Sequence, residues 1–221
     1  MRIIEPRSTN PPASRTPTSW AAWQQMCERT GISAHEFDHR RLIKLWSSRF
    51  RRYHTLDHLT ACLLELEHFR SLAQRPGEVA LALWFHDAVY STRRSGNEER
   101  SAQLAGQMLQ ADGAPPEMVM RIQESILATR HHNSPLEGDP ALVVDIDLSI
   151  LGASAEKYAQ FEADVRREYW WVPQSRFVTG RCDILRSFLD RPHIYHFEAI
   201  RQRYEANARV NLTHAIEALT G

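Results

Sequence analysis

Residues 53–90 read YHTLDHLTACLLELEHFRSLAQRPGEVALALWFHDAVY, and two helical runs account for most of this stretch. Leu59, Leu63, Leu66 and Phe69 recur at the three- and four-residue spacing of one helix face. Pro76 is well placed in the first turn of the next helix. Its continuation, Ala80-Leu81-Ala82-Leu83-Trp84-Phe85, is apolar on nearly all sides and marks the most buried helix of the domain. A parallel strand can share such a run, but the alanines and the flanking helical patterns favour helix. His54 and His58 stand four apart at the start of the first run, so on a helix both imidazoles face one spot. His86 and Asp87 end the second run, where polar groups following a buried segment need partners that a metal ion supplies. Two helices packed side by side with a divalent metal between them are therefore expected. A third segment, Val143-Val144-Asp145-Ile146-Asp147-Leu148, is needed to complete the site.

The rest of the chain also reads as helix. Residues 1–18, with Pro6, Pro11, Pro12 and Pro17, are expected to form a flexible or extended arm. Residues 19–221 are expected to form a single domain. Ser19 is a plausible N-cap for a helix from Trp20 to Arg29 that Gly31 stops. Ser33 with Glu36 fits a capping box. Asn97 is placed to cap a helix running to about Gln110, and Pro115-Pro116 starts another that ends near His131-His132. Helices from Ala155 to Trp171, from Pro173 to Leu189 and from about Tyr195 to Leu219 follow. No segment sustains period-2 alternation. The fold class is all-α, with about ten helices.

Composition narrows the function. Lys plus Arg (27) equals Asp plus Glu (27), so no net field favours nucleic acid or a membrane surface. No apolar run approaches the ~18–20 residues of a membrane span, and no signal-peptide core is present. Cys27, Cys62 and Cys182 are distant and odd in number, which suits reduced thiols in the cytoplasm.

The order Tyr53-His54-x-x-x-His58, then His86-Asp87, then Asp147-Leu148 resembles the HD superfamily of metal-dependent phosphohydrolases. Tyr53-His54-Thr55-Leu56-Asp57-His58 is similar to a motif of cyclic-nucleotide phosphodiesterases, which carry a related helical core. The segments WFHDAVY, NEERSA and DIDLSILG look closer to a bacterial group of HD phosphohydrolases whose substrate is not settled. The resemblance covers roughly residues 45–215. It implies a helical HD-type domain in which His58, His86, Asp87 and Asp147 hold a divalent ion (Mn, Fe, Co, Ni, Zn or Mg). Such a donor set leaves positions open for water, and the ion activates that water and polarises a phosphoryl oxygen. His54 is then the candidate to protonate the leaving oxygen, given a nearby carboxylate, Asp57 or Glu98. Asp147 is preferred to Asp145 on the Asp-Leu match. On a helix these two point about 200° apart, so Asp145 takes the role if that match misleads.

Other residues keep two readings. His131 and His132 suit a helix C-terminus, or else a second metal or a substrate phosphate. Arg93, Arg94 and Arg130 read as solvated side chains or as phosphate clamps. Glu98 reads as a helix-start acid or as a catalytic residue with His54 and Asp87. Trp170 and Trp171 read as core or as an oligomer contact, as in a homodimer. Arg52, Arg181, Arg209 and Asn211 match positions in the bacterial group without an evident role. The expected activity is hydrolysis of a phosphate ester or anhydride of a small metabolite such as a nucleotide, with one metal or two. The alternatives are a non-catalytic sensory or partner-binding module and, behind it, a di-metal oxygenase on the same scaffold.

Overall fold

A computed structural model describes residues 16–130 and 136–221. Among these it contains ten α-helices, two 3-10 segments and no strand. The helices are α1 (Trp20–Thr30), α2 (Glu36–Trp46), α3 (Leu56–His68), α4 (Pro76–Phe85), α5 (Asn97–Ala111), α6 (Pro116–Ala128), α7 (Gly138–Asp147), α8 (Ala155–Glu168), α9 (Gln174–Leu189) and α10 (Glu198–Thr220). A 3-10 segment at Arg70–Leu72 follows α3, and another at Leu148–Gly152 follows α7. No helix is long and apolar enough to cross a membrane among the described residues.

Helix α4 lies at the centre, against α1, α3, α5, α6 and α7. Val79, Leu81, Ala82, Leu83, Trp84 and Phe85 are all buried, the all-round burial that an all-round apolar sequence requires. The carbonyl of Trp84 accepts a hydrogen bond from Trp46 Nε1 at 2.9 Å, which satisfies a helix-end group that α4 cannot pair internally. On the other side of the molecule α10 packs against α8, α9 and the Leu148–Gly152 segment. The approach there is close: a Cβ on Gly152 would lie 2.7 Å from the Tyr204 carbonyl oxygen, so only glycine fits.

Several local expectations are corrected. Helix α3 starts at Leu56, with Thr55 as N-cap accepting from Asp57 N, so His54 sits in the turn before the helix. The Ser33–Glu36 box does not form: α2 begins at Glu36 with no side-chain cap, and Ser33 N instead donates to the Asp112 carbonyl. Asn97 is the first residue of α5 rather than its cap, because its amide is held by the backbone of Ser91. Helix α8 stops at Glu168 and α10 begins at Glu198. The arm ends earlier than residue 18, since the Thr18 carbonyl bonds His39 Nε2 at 2.9 Å. Trp170 is exposed, which removes its core reading. Residues 1–15 of the arm, and His131 and His132, lie outside the described residues.

Candidate metal centre

Three helix ends meet at one point. His58 is in the first turn of α3, His86 directly follows α4, and Asp147 is the last residue of α7. His58 Nε2 lies 3.3 Å from His86 Nε2 and 3.1 Å from Asp147 Oδ1, and His86 Nε2 is 3.4 Å from the same carboxylate oxygen. Among the described residues these three form the group whose donor atoms converge as a metal would require. Asp87, the fourth expected ligand, is beside the group rather than within it. Its Oδ2 is 3.4 Å from His86 Nε2 and 3.8 Å from His54 Nε2.

The donor chemistry fits a cation. His86 Nδ1 is 2.8 Å from the Leu83 carbonyl, which can only accept, so the proton is on Nδ1. In the neutral ring the Nε2 lone pair then faces a second imidazole and two carboxylates. Such lone pairs repel unless a proton or a metal ion lies between them. Cis donors on a divalent ion with bonds of about 2.1 Å are about 3 Å apart, close to the spacings found. The set contains no thiolate, which fits a site with open positions better than a closed structural zinc site. Trp46 and Tyr53 pack on the imidazoles, with the Tyr53 ring 4.7 Å from that of His58, and dry the site.

Without a cation, protons carry the balance. Burial pulls the His86 pKa down, but Asp87 and Asp147 outweigh it and hold the value well above the ordinary one. Burial dominates at His58, whose pKa is lowered. The Asp147 carboxyl, although buried, is held well below the usual range by its hydrogen bonds and charge pairing with the two histidines.

His54 completes a second layer. Its Nδ1 is 2.7 Å from Glu168 Oε2, and its ring stacks on Tyr90 at 4.2 Å. Glu168 also accepts from the backbone N–H groups of Arg52, Tyr53 and His54 and from the Tyr90 hydroxyl. Despite burial, the His54 hydrogen bond and charge lower the Glu168 carboxyl to about 2. Burial opposes a charged His54, but Asp87 and Glu168 outweigh it and raise its pKa. Arg51, 6% exposed, donates to the carbonyls of His54, Asp87 and Ala88, which ties the two histidine segments together.

The remaining expectations divide. Glu98 lines the cleft over the cluster, but the carboxylate on His54 is Glu168, not Glu98 or the exposed Asp57. Asp145 stands outside the converging group. Its carboxylate is fully buried and accepts from His196 N, His196 Nδ1 and Phe197 N, anchoring the start of α10. Arg130 lines the cleft but is paired with Glu99. Arg93 lies over Trp170 and Trp171, and Arg94 is exposed. Arg181 clamps Glu162, Arg209 bonds carbonyls at the end of α9, and Asn211 bonds the Leu151 and Ala153 carbonyls. Sequence reasoning missed Glu168, Arg51 and Tyr90. Glu168 left one signal: it continues the buried stripe Tyr158, Phe161, Val165 of α8, where an acid is out of place unless it has partners.

No protein-family model matches the chain, and neither a curated protein nor a solved structure does.

Proposed function

We propose that the chain is a metal-dependent phosphohydrolase of the HD type, acting on a phosphate ester or anhydride of a small molecule. The observation that carries this reading is the juxtaposition of three converging donors, His58, His86 and Asp147, with a carboxylate-backed His54 at the floor of a cleft of about 910 Å³. The order of these residues in the chain resembles that superfamily, and their chemistry suits it. His58, His86 and Asp147 would hold a divalent ion, with Asp87 the adjacent carboxylate. When bound, such an ion supplies a water of lowered pKa and a Lewis acid for the phosphoryl oxygen.

The chain's own residues do the rest. Asp87 and Glu168 together raise the His54 pKa, which favours the charged ring, and with Glu168 on Nδ1 the Nε2 proton is the one placed for delivery to a leaving oxygen. Tyr90 and the backbone bonds to Glu168 fix the ring in that orientation. Arg51 holds the carbonyls on both sides of the site and keeps His54 and Asp87 in register. Phe161, Val165 and Leu148 line the cleft and limit water around the reacting groups.

The test is elemental analysis of the purified chain and of His86→Ala, followed by a phosphatase panel with Mn, Fe, Co, Ni, Zn and Mg. The expected result is about one equivalent of metal in the parent and none in the variant, with metal-dependent release of phosphate by the parent alone. A parent that takes up none of these metals, or a His86→Ala variant with full activity, overturns the reading.

A further inference from the structure

The cleft over the donor cluster is far larger than a phosphate group, at about 910 Å³, within the range of sites for whole small molecules. Its walls differ in kind. The floor is polar: His54, His86, Asp87 and Asp147. The wall leading away begins at Leu148, the residue after Asp147, and continues through Leu151, Val165, Phe177, Ile184 and Phe188. An aromatic relay joins the two, because Tyr53 packs on His58 at 4.7 Å and on Phe161 at 4.4 Å.

Several of the polar side chains lining the cleft beyond the floor are committed elsewhere; Glu98 and Arg176 are not among them. Thr129 Oγ1 donates to the Ile126 carbonyl and Ser187 Oγ to the Ile184 carbonyl, both at 2.7 Å. The Asn97 amide bonds Ser91 through both its oxygen and its nitrogen. Arg181 forms a two-point pair with Glu162 at 3.0 and 2.6 Å. Arg176, exposed on the same wall, adds positive charge that favours an anion without discriminating between organic bodies. A nucleoside or sugar lying against Leu151, Val165, Phe177, Ile184 and Phe188 would set hydroxyls and ring nitrogens on apolar side chains that offer them no hydrogen bond, which is costly where they are buried. An aryl or alkyl body gives up no hydrogen bonds there and gains from burial.

We propose that the molecule this cleft takes is a phosphorylated aryl or alkyl compound, its apolar body lying along α8 and α9, rather than a nucleotide. The phosphate half of this assignment rests on the phosphohydrolase reading; the apolar half does not. Two measurements separate them. Metal-loaded protein is assayed with 1-naphthyl phosphate and thymidine 5′-phosphate, and binding of the neutral products, 1-naphthol and thymidine, is followed by calorimetry. Both are done on the parent, on His86→Ala and on Ile184→Asn, whose parent residue is 48% exposed and tolerates a polar side chain.

The expected result is a KM at least roughly tenfold lower for the naphthyl ester, KM being the readout because an aryloxide leaves more easily than an alkoxide whatever lines the cleft. 1-Naphthol should bind the parent and His86→Ala equally, and thymidine neither. Ile184→Asn should weaken 1-naphthol binding about tenfold at unchanged metal content and melting temperature. An equal or lower KM for the nucleotide, or binding of thymidine in preference to 1-naphthol, overturns the proposal. If neither ester is hydrolysed but 1-naphthol binds and Ile184→Asn weakens it, the apolar assignment stands and the phosphohydrolase reading falls. If both esters are hydrolysed but 1-naphthol does not bind, the apolar assignment falls alone.

Discussion

At the scale of single residues, the two aspartates of the Asp145-Ile146-Asp147 triplet show how two positions separate structure from chemistry. Asp145 is sealed and satisfies three donors at the start of α10; Asp147 is partly open to the cleft and faces two imidazoles. Asp145→Asn should therefore cost about 2–3 kcal/mol, since it weakens charge-assisted hydrogen bonds to a buried group, with the ability to bind metal retained. Asp147→Asn should also destabilise the metal-free protein, because it removes the charge that pairs His58 and His86, but it alone should abolish metal uptake. Denaturant melts measure the losses and elemental analysis distinguishes the two; uptake lost by Asp145→Asn yet kept by Asp147→Asn would make Asp145 the ligand. Glu168 gives a second prediction at this scale. Glu168→Gln removes the negative charge that helps raise the His54 pKa, so the His54 titration should move to lower pH. Activity should fall roughly 10- to 100-fold, as for other groups that orient a first layer of catalytic residues. The alkaline limb of the pH–rate profile should shift to lower pH with it; a drop in rate with an unmoved limb would make Glu168 purely structural. His58, His86 and Asp147, which the structure brings together, were legible in the sequence because each stands in a short motif and the motifs follow in order; Asp87 was read with them but lies beside the group. The sequence concealed Glu168 because the partners of that side chain are 78 to 116 positions away.

At the scale of elements, α4 was the most legible helix, and the reason is physical. A helix buried on every side must be apolar on every side, and few other elements produce that pattern. Leu83 in its last turn is fully buried, so Leu83→Ala should destabilise the fold by about 2–5 kcal/mol through lost burial and a residual cavity. Because His86 is one turn beyond and its ring is held by the Leu83 carbonyl, the backbone anchor survives this substitution. Metal affinity should thus change far less than stability, and a calorimetric melt beside a metal titration tests this. A large parallel loss of both would mean that packing around Leu83, not the carbonyl bond, sets the His86 orientation. Helix starts were read less well. The i, i+4 spacing of His54 and His58 placed both on one helix, yet the Thr55 side chain caps the helix after His54. Thr at N-cap is a common device, but a threonine between two histidines of a helical pattern gives no local reason to break the run there. What keeps His54 off the helix is the long-range capture of three backbone N–H groups by Glu168.

At the scale of the whole molecule, the charge arrangement sets how stability responds to pH, and the sign can be worked out group by group. Glu168 has its carboxyl lowered to about 2 from 4.5, so its contribution is present above its unfolded value and is lost as pH falls toward 2. Asp147, held well below 3.8, acts in the same direction. Asp112 is the opposite case. Burial first, then the nearby Asp38, raise it to about 6 from 3.8, so the folded state prefers its protonated form, and stability falls as pH rises from about 4 through about 6. His54 and His86, both raised above 6.5, contribute stability that is complete below that value and is lost as pH climbs through their folded pKa values. His58, lowered by burial, acts the other way, its contribution present above 6.5 and lost as pH falls. Above pH 6.5 His54 and His86 prevail, and the metal-free protein should lose stability from there toward pH 8. A bound divalent ion would replace the protons on the histidines, and metal affinity rises as those protons leave. The gap in melting temperature between metal-loaded and chelator-treated protein should then widen from pH 5 to pH 8. Scanning calorimetry at half-unit pH steps with and without chelator makes the comparison, and Asp112→Asn should flatten the metal-free curve between pH 4 and 6. A metal-free protein that gains stability from pH 6.5 to pH 8 would mean that protons do not balance this buried cluster of histidines and carboxylates.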